Sequence, residues 1–564
     1  MWILGIAGSH NSAAALVHDG VVVVAVQTER LTRIKRHAID LSRMSGDAVR
    51  VIEYCLRAAG IDLPDIDAIA TCSPYEPAAR FLFEDPAAAP VGLPPFVSVP
   101  HHLAHAEYVI HYAPAEPSIV LVCDGSGTFE HHRAGLDIQE LEADPVRHVT
   151  ASGKESISAY TYDGRDLRLI HRIAHGPAPC RPPGAVFRTP HGEVLVSLGH
   201  LWQWAAHYCH GGVNEAGKVM GLAPFGDPAV HRDLRTVTMS PDGDLSIDFA
   251  ALFDRFGRPN TEARDVTGVK HYEDLAAHVQ EVTDDFLTRL VRLLRSRYET
   301  DVVCYSGGVA LNGIANQHLV RTLGIDLRMN GSCEDNGTAI GAALAVHHAK
   351  AGTRVVEPIR DDYGREYSAG EIGAAVARAG RRAEILPPAR TAETTAAALA
   401  EGAIVGWFQG RCEFGPRALG NRSILADPRD PGMQDHLNRR VKGREAFRPF
   451  APAVLEEHAA DWFELDGPSP MMLRVVPVRS GRLPAVTHVD GSARVQTVNR
   501  SQNARLHELL TAFGRRTGVP VLLNTSFNIA GEPIVESPDD ALRTFLSSGM
   551  DLLVMGDHVV RAEP

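Results

Sequence analysis

The sequence predicts an α/β protein with two domains. Three apolar segments, typical of buried strands, each run into a turn that contains glycine. A polar stretch without strong periodicity then precedes a C-terminal part in which basic residues are interleaved with glycine. The chain has 564 residues, enough for more than one domain at roughly 100 to 200 residues each.

Composition and charge exclude several classes of protein. Hydrophobic residues make up 45% and charged residues 22%, as in a folded globular chain rather than a disordered or fibrous one. The net charge of −13 argues against a nucleic-acid or anionic-membrane partner. No apolar run approaches the roughly 20 residues of a membrane span, and the N-terminus lacks the basic region of a secretory signal. We therefore expect a cytoplasmic protein.

The first elements are strands joined by tight turns. Apolar runs at 2–6, 12–18 and 21–27 predict three strands, and His10 lies in the first turn among small residues. Because imidazole titrates near neutral pH, His10 is a candidate general base for a hydroxyl group. A polar turn residue without a catalytic role is the alternative.

Two further strands and one helix predict a shared cleft. Residues 118–123 break at the turn Asp124–Gly127, and residues 301–305 break at Ser306–Gly308. A third glycine turn, 330–337, precedes a helix of small residues at 338–348. Ligands gather at the carboxyl ends of parallel strands, so these turns are expected to lie together. The alternative is that each glycine only supplies a turn conformation.

Two histidines and two aspartates form a candidate metal site. His101 and His105 follow Pro100, so they are expected one turn apart on a helix face, with His102 pointing elsewhere. Asp124 and Asp335 lie in the glycine turns. Such a set of nitrogen and oxygen ligands suits Fe(II), Mn or Zn. A histidine pair in the core or on the surface is the alternative.

The sequence pattern for nucleotide contacts is less specific than the pattern for the metal site. The stretch 212–218 resembles the start of a P-loop, but Val219 occupies the position of the required hydroxyl residue. Lys218 remains a candidate phosphate contact, and Ser306, Gly307, Gly308 and Asn312 could hold a nucleotide. The eight cysteines form no CxxC pair, so disulfides and a zinc ribbon are not expected.

The C-terminal part predicts an anion site. A new helical pattern begins near Ser368, which places the domains at 1–355 and 366–564. Residues 411–448 contain nine Arg or Lys against five Asp or Glu, a balance of +4. Interleaved glycines favour a pocket for an anion over the alternative, a solvated helix surface. A short strand from Val521 delivers Ser526 and Asn528 at its end.

Together these segments resemble the antibiotic and Nod-factor O-carbamoyltransferases. The motifs that carry the resemblance are GSHNSAAAL with His10, HHLAHA at 101–106, DGSG from 124, EAGKVMGLAP at 215–224, SGGVALN at 306–312, CEDNGTAIGAA at 333–343, GRCEFGPRALGNRSI at 410–424, KGREAFRPFAPAV at 442–454 and LLNTSFNIAGEPIVESPDDAL at 522–542. They cover nearly the whole chain.

The resemblance implies a fold and a reaction. The N-terminal domain would be Kae1-like, with the actin and Hsp70 ATPase-like fold, and the C-terminal domain YrdC-like. The C-terminal domain would make carbamoyl adenylate from carbamoyl phosphate and ATP, with Mg. The N-terminal domain would then transfer the carbamoyl group to an alcohol.

The resemblance also implies roles for individual residues. His10 matches the base near the acceptor, and the metal, expected to be iron, would be held by His101, His105, Asp124 and Asp335. The remaining matches are Arg417, Lys442, Arg448, Ser526 and Arg494 at the first site, and Lys218, Ser306, Gly307, Gly308 and Asn312 around the nucleotide at the second.

The acceptor would be a small natural-product alcohol, and a homodimer is compatible with the family. A threonylcarbamoyl transferase acting on tRNA is disfavoured by the acidic chain and the fused domains. An ATP-driven switch protein would leave the basic segment 411–448 without a role.

Overall fold

The computed structural model describes residues 1–39, 46–74, 94–113, 116–180, 184–189, 192–257, 266–445 and 447–562. The chain forms two compact units, Met1–Thr28 with Ala38–Ile359 and Glu29–His37 with Arg360–Pro564. A short N-terminal segment thus belongs to the second unit, which no local sequence pattern indicates. Within the described ranges, no helix has the length and apolar character needed to cross a membrane.

Among the described residues, the first unit contains fifteen strands and eight α-helices, and one further helix, α1, lies almost entirely in the segment Glu29–His37 of the second unit. The strands are β1 (Trp2–Ala7), β2 (Ala13–His18), β3 (Val21–Gln27), β4 (Ala68–Cys72), β5 (Phe96–Ser98), β6 (Ser118–Cys123), β7 (Leu141–Val149), β8 (Lys154–Tyr162), β9 (Leu167–His175), β10 (Arg188–Thr189), β11 (Gly192–Glu193), β12 (Val237–Met239), β13 (Leu245–Ile247), β14 (Val302–Ser306) and β15 (Asp326–Arg328). The helices are α1 (Thr28–Thr32), α2 (Gly46–Ala59), α3 (His101–Ile110), α4 (Leu198–His210), α5 (Ala216–Leu222), α6 (Phe249–Phe256), α7 (Lys270–Tyr298), α8 (Gly313–Leu323) and α9 (Gly337–Ala351). The predicted strands and helices at the glycine turns are confirmed.

The same sheet topology occurs twice in this unit. The first sheet has the order β3-β2-β1-β4-β5, with β1 antiparallel to β2 and parallel to β4. The second has the order β15-β14-β6-β8-β9-β7, with β6 antiparallel to β8 and parallel to β14. The duplicated topology is that of the actin and Hsp70 ATPase-like fold, so the predicted α/β fold class is confirmed.

Close packing of α3 on α9 positions the turns of the candidate site. A Cβ at Gly341 of α9 would lie 1.7 Å from the carbonyl oxygen of Ala104 in α3, so only glycine permits this approach. All ten residues of α3 are buried, as are all six of β6. The first residues of α3 and the turn before α9 therefore lie in the interior of the unit.

Among the described residues, the second unit has an eight-stranded sheet with helices on both faces and a separate two-stranded sheet formed by Val475–Pro477 and Ser492–Arg494. Its strands are β16 (Glu384–Ile385), β17 (Val405–Phe408), β18 (Arg422–Ala426), β19 (Ala451–Leu455), β20 (Val475–Pro477), β21 (Ser492–Arg494), β22 (Gln496–Val498), β23 (Val521–Ser526), β24 (Leu552–Met555) and β25 (His558–Arg561). Its helices are α10 (Ala369–Arg378), α11 (Pro388–Ala400), α12 (Met433–Leu437), α13 (Ala459–Trp462), α14 (Ala504–Thr517) and α15 (Pro538–Leu546). The sheet order is β16-β25-β24-β17-β18-β23-β19-β22.

Two hydrophobic clusters enclose this sheet. Phe408 and Phe527 pack with residues of α10 and α15 on one face. Trp407 packs with residues of α11 and α14 on the other face. Ser368 caps α10 through a capping box with Glu371, which confirms the predicted helix start.

Candidate functional site

Four side chains from three segments converge in the first unit. His101 and His105 lie one turn apart at the start of α3, Asp124 follows β6, and Asp335 lies in the turn before α9. One potential ligand atom from each of these four buried residues lies within 4.8 Å of the other three. The structure therefore brings together the residues that the resemblance assigns to a metal.

The donor set fits a metal ion. His101 Nε2 lies 3.4 Å from Asp124 Oδ2 and 3.6 Å from Asp335 Oδ1. The Nε2 atoms of His101 and His105 are buried and, within the described part of the chain, have no hydrogen-bond partner. Burial lowers the pKa of His105 to about 4, which keeps it in the neutral form that binds metals. Two unpartnered imidazole nitrogens facing two carboxylates suit a divalent first-row metal.

Surrounding groups orient these ligands. His101 Nδ1 lies 3.4 Å from Cys72 Sγ, and His105 Nδ1 lies 3.3 Å from Ser306 Oγ. Contacts to Nδ1 turn Nε2 towards the centre of the cluster. The backbone N–H of Gly308 donates to Asp124 Oδ1 at 3.0 Å. Ser306 and Gly308, predicted as nucleotide contacts, thus lie against this cluster.

His10 lies at the accessible edge of the cluster. Its Nδ1 is 3.4 Å from Asp335 Oδ2, and its side chain is 41% exposed whereas that of Asp335 is 6% exposed. Burial alone would raise the pKa of Asp335, but the neighbouring imidazoles of His10 and His101 hold it well below its usual value. The carboxylate is therefore charged beside an imidazole that solvent can reach.

The other predicted residues of this unit have varied surroundings. Lys218, on α5, has its Nζ 3.4 Å from Oε2 of Glu215, the residue that precedes this helix. The Asn312 side chain caps α8 and donates to Gln280 Oε1 at 3.0 Å. A Cβ at Gly307, whose φ is +94°, would lie 2.2 Å from the Cys123 carbonyl oxygen. Their contacts with a nucleotide stay predictions.

His102 points away from the four-residue cluster, as expected from its position on α3. Its Nδ1 lies 2.8 Å from Ser158 Oγ. Burial lowers its pKa well below the usual value, so the ring is neutral.

Basic side chains gather in the second unit. We call the set Lys35, Arg417, Lys442, Arg444, Arg448 and Arg494 the cationic cluster. The pKa of Arg494 is held well below its usual value, first by burial and then by the charges of Arg417, Arg444 and Arg448. Burial and Arg448 likewise lower the pKa of Arg444 to about 9. This mutual repulsion identifies a place where an anion would be stabilised.

Lys442 is held at the end of β23. Its Nζ donates to the Ser526 carbonyl at 2.5 Å and to Asn528 Oδ1 at 2.9 Å. Lys442 ends a short π-helix, Asn438–Lys442, of the kind that is frequent at functional sites. Neither Lys442 nor Arg494 makes an ion pair with a carboxylate in the portion of the chain that the structure describes. Both side chains are buried, and the charge of Glu532 acts on Lys442.

Two members of the cationic cluster were not predicted as site residues. Arg444 contributes to the basic balance of 411–448, but its role was not distinguished from that of its neighbours. Lys35 lies in the N-terminal segment Glu29–His37, and its charge lowers the pKa of Lys442. No local pattern could associate residues so far apart in sequence.

Comparison with known proteins identifies the class to which this chain belongs. Residues 2–74 and 87–344 match the family described as Carbamoyltransferase N-terminus, and residues 396–562 match Carbamoyltransferase C-terminus. The chain therefore belongs to the carbamoyltransferase family, and it is an enzyme of that class.

Two curated relatives, a nodulation protein and a cephem O-carbamoyltransferase, agree with this family. Nodulation protein NolNO of Sinorhizobium fredii is 36% identical over 98% of this chain and 79% of its own length. The 3'-hydroxymethylcephem-O-carbamoyltransferase of Amycolatopsis lactamdurans is 34% identical over 61% of this chain and 64% of its own. A solved structure of full-length HypF is 14% identical, covering 63% of this chain and 47% of that one, with a TM-score of 0.40.

Proposed function

We propose that this protein is an ATP-dependent O-carbamoyltransferase that makes carbamoyl adenylate in its second unit and carbamoylates an alcohol in its first. The observation that carries the proposal is the convergence of His101, His105, Asp124 and Asp335 beside an accessible His10. Support for a hydroxyl acceptor comes from the cephem relative, whose name describes transfer to a hydroxymethyl group. The acceptor is then a small natural-product alcohol.

The cationic cluster would carry out activation. A carbamoyl carbon is a poor electrophile because its nitrogen donates electrons to it, and linkage to AMP supplies a better leaving group. Water releases phosphate from carbamoyl phosphate, a carbamate oxygen then attacks the α-phosphorus of ATP, and pyrophosphate leaves. Lys442 and Arg494, which are buried and make no ion pair with a carboxylate in the described ranges, would stabilise the charge of these phosphates.

The first unit would carry out transfer. His10 accepts the proton of the acceptor hydroxyl, whose oxygen bonds to the carbamoyl carbon as the bond to AMP breaks. The charged Asp335 carboxylate, 3.4 Å from His10, stabilises the imidazolium that forms. Fe(II), Mn or Zn, held by His101, His105, Asp124 and Asp335, would supply Lewis-acid polarisation of the group being transferred. Lys218, Gly307 and Asn312 would hold the nucleotide part.

An isotope-exchange assay tests the activation step without knowledge of the acceptor. Labelled pyrophosphate should enter ATP only when carbamoyl phosphate is present. An ATP-driven switch protein would show no such exchange, and its absence from the metal-loaded full chain would disprove the activation step.

The transfer step needs a separate assay. Candidate alcohols are incubated with ATP and carbamoyl phosphate, and mass spectrometry detects a product in which one carbamoyl group has replaced hydrogen. If a carbamoylated tRNA nucleoside is the only product, the natural-product assignment is wrong.

A further inference from the structure

We propose that the segment Glu29–His37, hereafter the strap, positions the two loops on which the cationic cluster is built. Arg30 and Arg33 are the positioning residues. The strap belongs to the second unit although it comes from the beginning of the chain. This inference rests on the proposed function, because the site it concerns is the one where carbamoyl adenylate would form.

Arg30 holds the loop that carries Arg417. The Arg30 side chain is 2% exposed, and its Nη2 donates to the carbonyl oxygen of Gly415 at 2.8 Å. The N–H of the same glycine donates to Asp361 Oδ2 at 2.8 Å. The backbone carbonyl and N–H of Gly415, two residues before Arg417, are therefore both hydrogen-bonded.

The same loop is held from within by Glu413. Its carboxylate accepts the backbone N–H groups of Leu419 at 2.7 Å and Asn421 at 2.8 Å. Without Arg30, Glu413 and Asp361 would still hold N–H groups, but the Gly415 carbonyl would lose this buried partner. The expected result is a displaced Arg417 rather than an unfolded loop.

Arg33 holds the second loop, which follows β23. Its Nη1 donates to the Ile534 carbonyl at 2.7 Å and its Nη2 to the Pro533 carbonyl at 2.9 Å. The next residue, Val535, donates its N–H to the carbonyl of Phe527 at 3.0 Å. This hydrogen bond joins the end of the loop to its start, and Arg33 binds the last residues of the loop.

This loop in turn holds Lys442. Asn528 Nδ2 donates to the Glu532 carbonyl at 2.6 Å, while Asn528 Oδ1 accepts Lys442 Nζ at 2.9 Å. A shift of residues 532–534 would thus move the acceptor that orients the Lys442 ammonium group. Misplacement of a binding group by about 1 Å can cost about a hundredfold in rate.

Two residues of the strap have a left-handed backbone conformation. Arg33 and Arg36 have φ values of 61° and 55°, in the left-handed region that costs non-glycine residues about 1 kcal/mol or more. Glu29 stabilises this conformation, because its Oε1 accepts Arg30 Nη1 at 2.5 Å and its Oε2 accepts the Arg36 N–H at 2.8 Å. Such strain persists where surrounding contacts determine the backbone, as expected of a positioning element.

The experiment uses the full chain with Arg30→Ala and Arg33→Ala, and Arg378→Ala as the matched control. The Arg378 guanidinium makes an exposed ion pair with Asp539 at 2.7 Å in the same unit. Calorimetry with inorganic pyrophosphate measures the dissociation constant, and the exchange assay measures kcat and KM. Metal content, a property of the first unit, reports whether each variant is intact elsewhere.

We expect both strap variants to bind pyrophosphate about 10- to 100-fold more weakly, with a lower exchange kcat, and the control to match the wild type. A purely structural loss would reduce the active fraction and leave the dissociation constant unchanged, which would overturn the inference. If Arg30→Ala does not fold, the measurements on Arg33→Ala test the inference. The Arg33 side chain is 21% exposed, so its removal should disturb folding less.

Failure of the inference and failure of the proposed function give different results. A wild type that binds pyrophosphate and catalyses exchange, with both variants equal to it, overturns the strap alone. A wild type that does neither overturns the proposed activation step, and the strap's role with it.

Discussion

The two units place buried charges in opposite ways. In the first unit, the fully buried Arg172 pairs with Glu140 at 2.7 Å and Glu155 at 3.2 Å, and the candidate metal cluster sets imidazoles against carboxylates. In the second, Lys442 and Arg494 are buried with no ion pair to a described residue. An uncompensated buried charge is costly, and an anion bound beside Lys442 and Arg494 would reduce that cost. The contrast supports the proposed cation at the first site and the proposed anion at the second.

The largest expected effect separates the chemistry of the two sites. His10→Ala should reduce carbamoyl transfer by about 10²- to 10⁴-fold, because the acceptor proton loses its base. Pyrophosphate exchange should continue at the wild-type rate, since it belongs to the second unit. Product formation and exchange are measured on the same preparation.

His18→Ala is the matched control for this variant, because its side chain is 42% exposed and pairs with Asp19 away from the cluster. Loss of both activities in His10→Ala would show a structural role instead.

The buried ion pairs of Glu140 with Arg172 and Arg133 in the first unit should stabilise the protein less at low pH. Arg172 and Arg133 outweigh the effect of burial and lower the pKa of Glu140 from 4.5 to about 2. Its stabilisation, on the order of 3 kcal/mol, is present above pH 4.5 and is lost as the pH falls towards 2. The free energy of unfolding of the wild type and Glu140→Gln, measured by denaturant titration, should therefore converge over this interval. A constant difference would contradict this account.

Substitution of His101 and of His102, neighbours on α3, should affect metal binding differently. His101→Ala removes a proposed ligand and should weaken metal binding by more than the 10- to 100-fold typical of an outer contact. His102→Ala removes an equally buried imidazole that faces Ser158 and should keep the metal. Metal per folded chain is determined after dialysis against a competing chelator, and equal retention in both variants would remove His101 from the ligand set.

The smallest expected effect is an increase in the free energy of unfolding. Arg494→Met should raise the free energy of unfolding of the ligand-free protein by about 1 kcal/mol, because it removes an uncompensated buried charge. The same variant should lose pyrophosphate exchange. Arg172→Met, which removes a compensated charge, should instead destabilise the protein by about 3 to 5 kcal/mol. Destabilisation by both substitutions would remove the contrast between the units.

Local patterns account for what could be predicted. Strands such as 118–123 are visible as apolar runs that end in glycine turns, and the i, i+4 spacing of His101 and His105 is a property of one helix. The placement of Asp124 beside Asp335 was also predictable, since both follow segments that end at one edge of a sheet.

Long-range features were not predictable in the same way. The duplicated sheet order has no counterpart in a sequence repeat, because topology is conserved by hydrogen bonding between strands and not by identical side chains. The strap is a nine-residue segment whose partners, Gly415 and Pro533, lie hundreds of residues away. No periodicity or composition within 29–37 indicates with which unit it packs.

The strap has a consequence for how the chain is made and divided. Arg33 is translated 500 residues before Pro533, whose carbonyl it binds. The strap must therefore wait for its partners in the second unit while the residues between them are translated. A gene fragment that begins at residue 360 would encode an incomplete unit, and exchange of C-terminal halves between relatives would join each half to a foreign strap.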